Sequence, residues 1–378
     1  MRSLEIWMGS YLRGRWEKRR ARPRTNPTHI LFCLVDHFEP VACGRSTLER
    51  ERQRMRVWTE GYPKLAAAHW DSDGIPPQHT WFYPIEDYRS EYLDDLSRLC
   101  GQGLGEIELH LHHGHDTSAS LRQRLEEGVQ NLNRHGALIT QGAAPIRTYG
   151  FIHGNLALDN SMRDPKWCGV NNELEILQQT GCYADFSMPT APAISQTRKI
   201  NSIYYAVDDP EVPKSHDSGL DAEVGHKDQD GLLLIQGPLA LDCRHRKFGV
   251  LPHIDNAEIM GHYPGAPDRV RRWVRQHVHV KGRPEWIVVK ASCHGALERH
   301  HDALLGAAAH RMYSYLEAAF RDRIGHCLHY VTARELHNII KAAEAGCTGD
   351  PGDFRDFFLP PYLNRPSSHL AQRNTRGE

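Results

Sequence analysis

Residues 106–117 read E-I-E-L-H-L-H-H-G-H-D-T. Ile107, Leu109 and Leu111 alternate with Glu106, Glu108, His110 and His112, and a period of two predicts a strand that ends near Gly114. Successive side chains on a strand point to opposite faces, so His110 and His112 project together. With His113 and His115, four imidazoles fall within six positions. Neutral imidazole is the usual nitrogen ligand for zinc and its neighbours, so the cluster predicts metal chemistry at a strand end. The competing reading is a polar surface cluster in a chain that carries 25 histidines.

Working outward, residues 29–35 are apolar almost throughout, as expected for a strand buried on both faces of a parallel sheet. They run into Asp36-His37-Phe38-Glu39-Pro40, and an acid and a histidine ending a buried strand are costly without partners. A charged helical pattern covers residues 46–69, a second strand (Q-H-T-W-F-Y-P) residues 78–84 and a helix residues 88–99. Downstream, residues 118–134 place Leu121, Leu125, Val129 and Leu132 on one helical face. A strand at 146–152 then runs into His153-Gly154-Asn155 and a polar loop through Asp159 and Asn160. Further helices are predicted at 173–179, 266–277, 304–320 and 333–343. Strands are predicted at 202–207, 232–236, 286–289 and 329–332, and a surface loop at 208–230. Strand and helix alternate, which implies a parallel sheet with helices outside and sites at the strand ends.

At 378 residues the chain suits an α/β barrel built as one unit. Its formal charge of -1 argues against a nucleic-acid binder, which needs a basic excess. No apolar run reaches membrane-spanning length, and the N-terminus lacks a secretory apolar segment. Nine cysteines without a C-x-x-C pair fit reduced thiols and a cytoplasmic protein. Residues 1–28 form a separate basic extension, with Arg13, Arg15, Lys18, Arg19, Arg20, Arg22 and Arg24 among Trp7, Tyr11 and Trp16. It reads as a solvated arm, with peripheral contact to an anionic membrane as the alternative. Residues 29–346 hold the barrel, and residues 347–378 form a tail that wraps the surface or stays disordered.

The order of motifs resembles the polysaccharide deacetylase superfamily (NodB-like, carbohydrate esterase family 4), as a divergent subgroup. Cys33-Leu34-Val35-Asp36-His37 stands where the family has T-F-D-D-G. Thr80-Trp81-Phe82-Tyr83 is similar to A-T-F-F, and Glu106-Ile107-Glu108-Leu109-His110 to the start of E-I-G-x-H-[ST]-x-x-H. Residues 180–187 resemble L-G-F-x-x-D-S-S, and residues 289–294 stand where the family has a strand ending in L-x-H. The resemblance implies a distorted (β/α)7 barrel and a hydrolase that removes N-acetyl or O-acetyl groups from a carbohydrate. One divalent ion, Zn2+ by expectation, would serve it.

The resemblance also implies residue roles. Asp36 would be the base, or a ligand if His37 turns away. His37 or Asp36, with His110 and either His112 or His113, would hold the ion, because Gly114 stands where the second family histidine falls. His294 would protonate the leaving amine. Arg147 and His153 compete for a motif that supplies an arginine near the base, and Asn155, Asp159 and Asn160 would meet sugar hydroxyls. Competing readings are an amidohydrolase or phosphoesterase using His110-Leu111-His112, a glycosidase using Asp36 with Glu39, and a non-catalytic carbohydrate-binding barrel.

Overall fold

The computed structural model describes residues 3–20, 27–42, 44–138, 148–162, 164–226, 229–247 and 249–362. Arg147 lies outside the described residues. The chain is mixed α/β. Its strands are β1 (Thr28–His37), β2 (His79–Pro84), β3 (Gly105–Leu111), β4 (Tyr149–His153), β5 (Cys182–Asp185), β6 (Ile203–Ala206), β7 (Leu220–Asp221), β8 (Leu232–Ile235), β9 (Ala240–Lys247), β10 (Leu251–Asp255), β11 (Glu258–Ile259), β12 (Trp286–Cys293) and β13 (His326–Val331). Its helices are α1 (Leu4–Arg20), α2 (Leu48–Ala66), α3 (Ser90–Gly101), α4 (Ser118–Asn133), α5 (Glu173–Gln179), α6 (Pro267–Val274), α7 (His301–Leu305), α8 (Ala307–Leu316) and α9 (Ala333–Glu344).

One curled sheet runs β11-β12-β1-β2-β3-β4-β5-β8-β6-β7, parallel from β11 to β8, with β6 antiparallel to both β8 and β7. Along one edge β1 pairs with β12. Along the other it pairs with β13 over its first half and with β2 over its second. The apolar run Ile30 to Val35 therefore sits at the centre of the sheet and is wholly buried. Helices cover the outer face. Met55, Trp58, Tyr62 and Leu65 recur at helical spacing on α2 and are all buried. Thr117 and Ser120 box the start of α4, and Thr332 and Glu335 that of α9.

The inner side of the sheet is polar. Glu106, Glu108 and His110 share one face of β3, and all three are buried. Arg334 from α9 pairs with Glu106 at 2.8 Å, and Thr332 donates its hydroxyl to the same carboxylate at 2.5 Å. Glu108 accepts from the hydroxyls of Tyr183 and Tyr362 and from the Gly150 N–H. Lys290 of β12 donates to the carbonyls of Phe186 and Met188, so the sheet curls far enough for β12 to reach past the end of β5. These bonds offset the cost of burying charge.

Several expectations change. α1 is not a free arm, because Trp7 and Tyr11 are buried against Ala191, Ile200 and Leu239. No helix among the described residues is long and apolar enough to cross a membrane. Residues 350–362 pack onto the sheet's end, with Leu359 and Tyr362 buried and Arg355 bonded to Asp71, Asp73 and Glu335. An antiparallel hairpin, β9 with β10, occupies a segment for which no element was expected. The long helix expected at 304–320 is broken at Gly306 and ends in a wider turn at Glu317–Arg321.

Burial holds some histidines uncharged. His216 is fully buried, neither ring nitrogen has a hydrogen-bond partner among the described residues, and desolvation brings its pKa down to about 3. The folded chain keeps this ring neutral where the unfolded chain protonates it. Stability is therefore full above the ordinary histidine pKa of about 6.5 and falls as pH drops from there towards about 3. Urea unfolding followed from pH 7 to pH 5 should show this loss, and His216→Gln should reduce the slope by up to roughly 1.4 kcal/mol per pH unit. An unchanged slope in that variant would remove His216 from the acid response.

Candidate metal centres

The parallel register brings three strand ends together. Asp36 pairs with Cys293 across β1 and β12, so His37 and His294 emerge side by side. Pro84 pairs with His110 across β2 and β3, and β2 joins them to β1. His37 stacks on His294 with ring centroids 4.6 Å apart and meets His110 edge-on at 4.9 Å. His112 continues the direction of His110, 4.7 Å away. Glu39 stands between them, its Oε1 3.3 Å from His110 Nε2 and 3.6 Å from His112 Nε2. Two triads of ligating atoms share this carboxylate: Glu39, His110 and His112, and His37, Glu39 and His294.

Carboxylates lie behind the rings. Glu86 Oε1 is 2.6 Å from His112 Nδ1, and Glu258 Oε1 is 3.3 Å from His294 Nδ1. Such partners orient a ligating or proton-carrying imidazole. The cluster opens outward: the His112 and His294 side chains are 20% and 27% exposed, whereas His110 is fully buried. Gly154 permits a close approach, since a Cβ there would lie 2.5 Å from the His112 ring.

The charges divide in a definite way. Burial, with His294 and His110 beside it, pushes His37 well below the usual imidazole range. Burial also lowers His110, in spite of Glu39. Burial opposes charge on His294, but Glu258 and Glu39 outweigh it and hold its pKa above the usual value. His112 is raised in the same way, against burial, by Glu86 and Glu39. Burial disfavours ionised Glu39, but His110, His294 and His112 together bring it down to about 2. Two imidazoles and one carboxylate around an open position match the donor set of a catalytic zinc site. The buried His37 Nδ1 has no hydrogen-bond partner among the described residues, and the neutral His110 ring, with Nε2 3.3 Å from Glu39 Oε1, has one lone pair it could turn to an ion.

A second cluster lies deeper. His113 turns away from His112 and meets Glu173, the first residue of α5, at 3.1 Å. His153, at the end of β4, stacks beside His113 with centroids 4.5 Å apart. Cys168 Sγ is 3.3 Å from Glu173 Oε2. All four side chains are buried.

The expected site residues therefore separate. His37, His110, His112 and His294 converge. Asp36 does not join them: alternation along β1 turns it to the outer face, where it accepts from His79 Nε2 at 2.9 Å and from the Gly295 N–H at 2.6 Å. His113 and His153 belong to the second cluster. Asn155 spends its amide on the carbonyls of His113 and Trp167. Asp159, raised to about 8 by burial and by Asp208, accepts the Ser215 N–H. Asn160 bonds Asn171 and the Gly169 N–H. These three tie their loop together, with the side chain of Asp159 buried. Glu86, Glu258, Cys168 and Glu173 were not foreseen as site residues, and Glu39 was weighed only as a glycosidase carboxylate paired with Asp36. For Glu39 a signal existed, since it lies two residues beyond His37 at the same strand end.

No family model matches the chain, and no curated protein matches it. Among solved structures, the fold is similar to a presumed polysaccharide deacetylase from Mycobacterium smegmatis, at 12% identity and a TM-score of 0.43, over 92% of this chain and 97% of that one.

Elemental analysis of the purified chain separates these roles. His110→Ala and Glu39→Gln should each lower bound zinc by about one ion per chain, since each removes one of three ligands. Asp36→Asn should leave the metal content unchanged and instead cost about 1–3 kcal/mol, because its one remaining oxygen cannot accept from both the Gly295 N–H and His79 Nε2. Metal lost in Asp36→Asn but kept in Glu39→Gln would reverse the assignment.

Proposed function

We propose that this chain is a metal-dependent carbohydrate deacetylase of the polysaccharide deacetylase superfamily, on a distorted (β/α)7-type barrel. The observation that carries the reading is the convergence of His37, Glu39, His110, His112 and His294 from three parallel strand ends at one open edge. The order of sequence motifs supports the same reading. Glu39, His110 and His112 would hold the ion, which we take to be Zn2+. When bound, that ion makes its water more acidic and polarises the acetyl carbonyl. Glu39 takes the place that the sequence resemblance gives to Asp36.

The other groups follow from their environments. His37, pushed towards its neutral form by burial and by His294, would orient the attacking water through a ring nitrogen. His294, whose protonated form Glu258 and Glu39 favour against burial, is placed to donate a proton to the leaving amine or hydroxyl. Neighbouring groups whose surroundings drive their pKa values apart are the mark of an acid–base pair. Glu86 holds the His112 ring in place through Nδ1. The exposed side of His112 and His294 is where an acetylated sugar would enter. A polysaccharide or its precursor is the substrate class we propose for that open edge.

Acetate release from N-acetylated and O-acetylated oligosaccharides, with the zinc-loaded full chain, tests this. The wild type should release acetate, and a chelator should stop it. His294→Gln should lower kcat by roughly 10²–10⁴-fold with little change in KM. His37→Gln should do the same. No acetate from any acetylated sugar, or a His294→Gln enzyme at the wild-type rate, would refute the reading.

A further inference from the structure

We propose that His113, Cys168 and Glu173, with His153 completing the set, form a second and structural binding site for a divalent ion such as zinc. This inference does not depend on the deacetylase reading. The four residues come from four separate segments: the loop after β3, the end of β4, the loop near residue 168 and the first turn of α5. Their ligating atoms all lie within 4.8 Å of one another, and all four side chains are buried.

The spacing suits a tetrahedron. His113 Nε2 is 3.1 Å and His153 Nε2 3.9 Å from Glu173 Oε1, and Cys168 Sγ is 3.3 Å from Glu173 Oε2. Ligands held at zinc bond lengths stand about 3.3–3.6 Å apart along tetrahedral edges. A thiolate beside imidazole selects a borderline-soft ion over magnesium or calcium. His153 Nε2 is buried and has no hydrogen-bond partner among the described residues, so it marks a gap in the cluster that an ion would fill.

A supporting shell is present. Asp116 Oδ2 lies 3.1 Å from His113 Nδ1, leaving Nε2 to face the centre. The Asp159 N–H donates to Glu173 Oε2 at 2.6 Å, and the Asn160 N–H approaches Cys168 Sγ at 3.3 Å. His153 is the weakest member. Coordination through its Nε2 places the ring proton on Nδ1 and gives up the Asn155 N–H contact at 3.2 Å. Binding displaces the Cys168 thiol proton and one imidazole proton to solvent, so charge balances without any redox partner.

Complete burial leaves no room for substrate, which makes this a structural centre. Its effect would reach the open cluster through the chain. His113 is the next residue after His112, so an ion gripping His113 fixes the peptide that presents His112 to Glu39.

The test uses cobalt(II) alone as the probe, loaded into the full metal-free chain. The open cluster has no cysteine, so a thiolate-to-cobalt charge-transfer band in the near ultraviolet reports the second centre. The wild type should show this band and hold two ions. His110→Ala should lose one ion and keep the band. Cys168→Ser should lose the band. Cys293→Ser, which alters the other buried cysteine beside histidine and carboxylate, should keep it. A cobalt-loaded wild type without the band, or a band lost in Cys293→Ser, overturns the proposal. Loss of the His110 ion alone, with the band intact, would instead count against the deacetylase reading only if acetate release survived it.

Discussion

Burying a row of ionisable side chains on one face of β3 is the constraint on which the rest of the structure depends. Glu106, Glu108 and His110 point the same way from a strand with no exposed residue. Each must find partners or force an unfavourable protonation state. Glu106 takes Arg334 and Thr332 from the start of α9. Glu108 takes Tyr183 from β5 and Tyr362 from the C-terminal segment. The row thus recruits a helix, a distant strand and the tail, which explains why residues 350–362 pack instead of trailing free. His110 differs. Its nearest carboxylate, Glu39, stands at 3.3 Å and is shared with His112. The polar row passes from fully paired at the base of the strand to chemically available at its end.

The break in alternation after Leu111 makes two clusters out of one histidine run. His112 keeps the inward direction of His110, while His113 swings to the side of β4 and α5. Two adjacent residues thus stand in two different clusters. One opens outward beside partly exposed His294, and its surroundings push His37 towards the neutral form and His294 towards the protonated form. The other is closed on all sides and centres on a carboxylate. The backbone between them is short, so displacement at one centre must be felt at the other.

Much of this was legible in the sequence. The period of two in residues 106–111, the apolar run before Asp36 and the helical spacing on α2 and α4 all appear where expected. The strand-end location of His37, His110 and His294 followed from alternation of strand and helix. What was not legible turned on direction. Asp36 and His37 are adjacent, and sequence alone does not say which faces the helices. The answer rests on His79 and Gly295, whose approach to Asp36 depends on the pairing of β1 with β2 and β12. Likewise Glu173 and Cys168 lie more than fifty residues from His113, and only the packing of α5 against α4 and β5 brings them near. The hairpin of β9 and β10 was missed because its exposed, charged strands carry no apolar run.

The exchange of Asp36 for Glu39 has a geometric reason. A carboxylate at Asp36 sits against Trp58 and beneath Gly295, where the Trp58 indole N–H also bonds the Gly295 carbonyl at 2.7 Å. That site is sealed on the helix side, away from the open edge where His37 and His294 stand. Glu39 lies past the end of β1, beyond the pairing of His37 with Phe82. Free of the ladder, its longer side chain can swing back across the strand end to reach His110 and His112. Asp36 then serves the centre indirectly: by clamping the Gly295 N–H it fixes the turn that holds His294 stacked on His37. The acid that the sequence resemblance would place at the ion here holds the scaffold, and in the reading proposed above a residue three positions on takes that role.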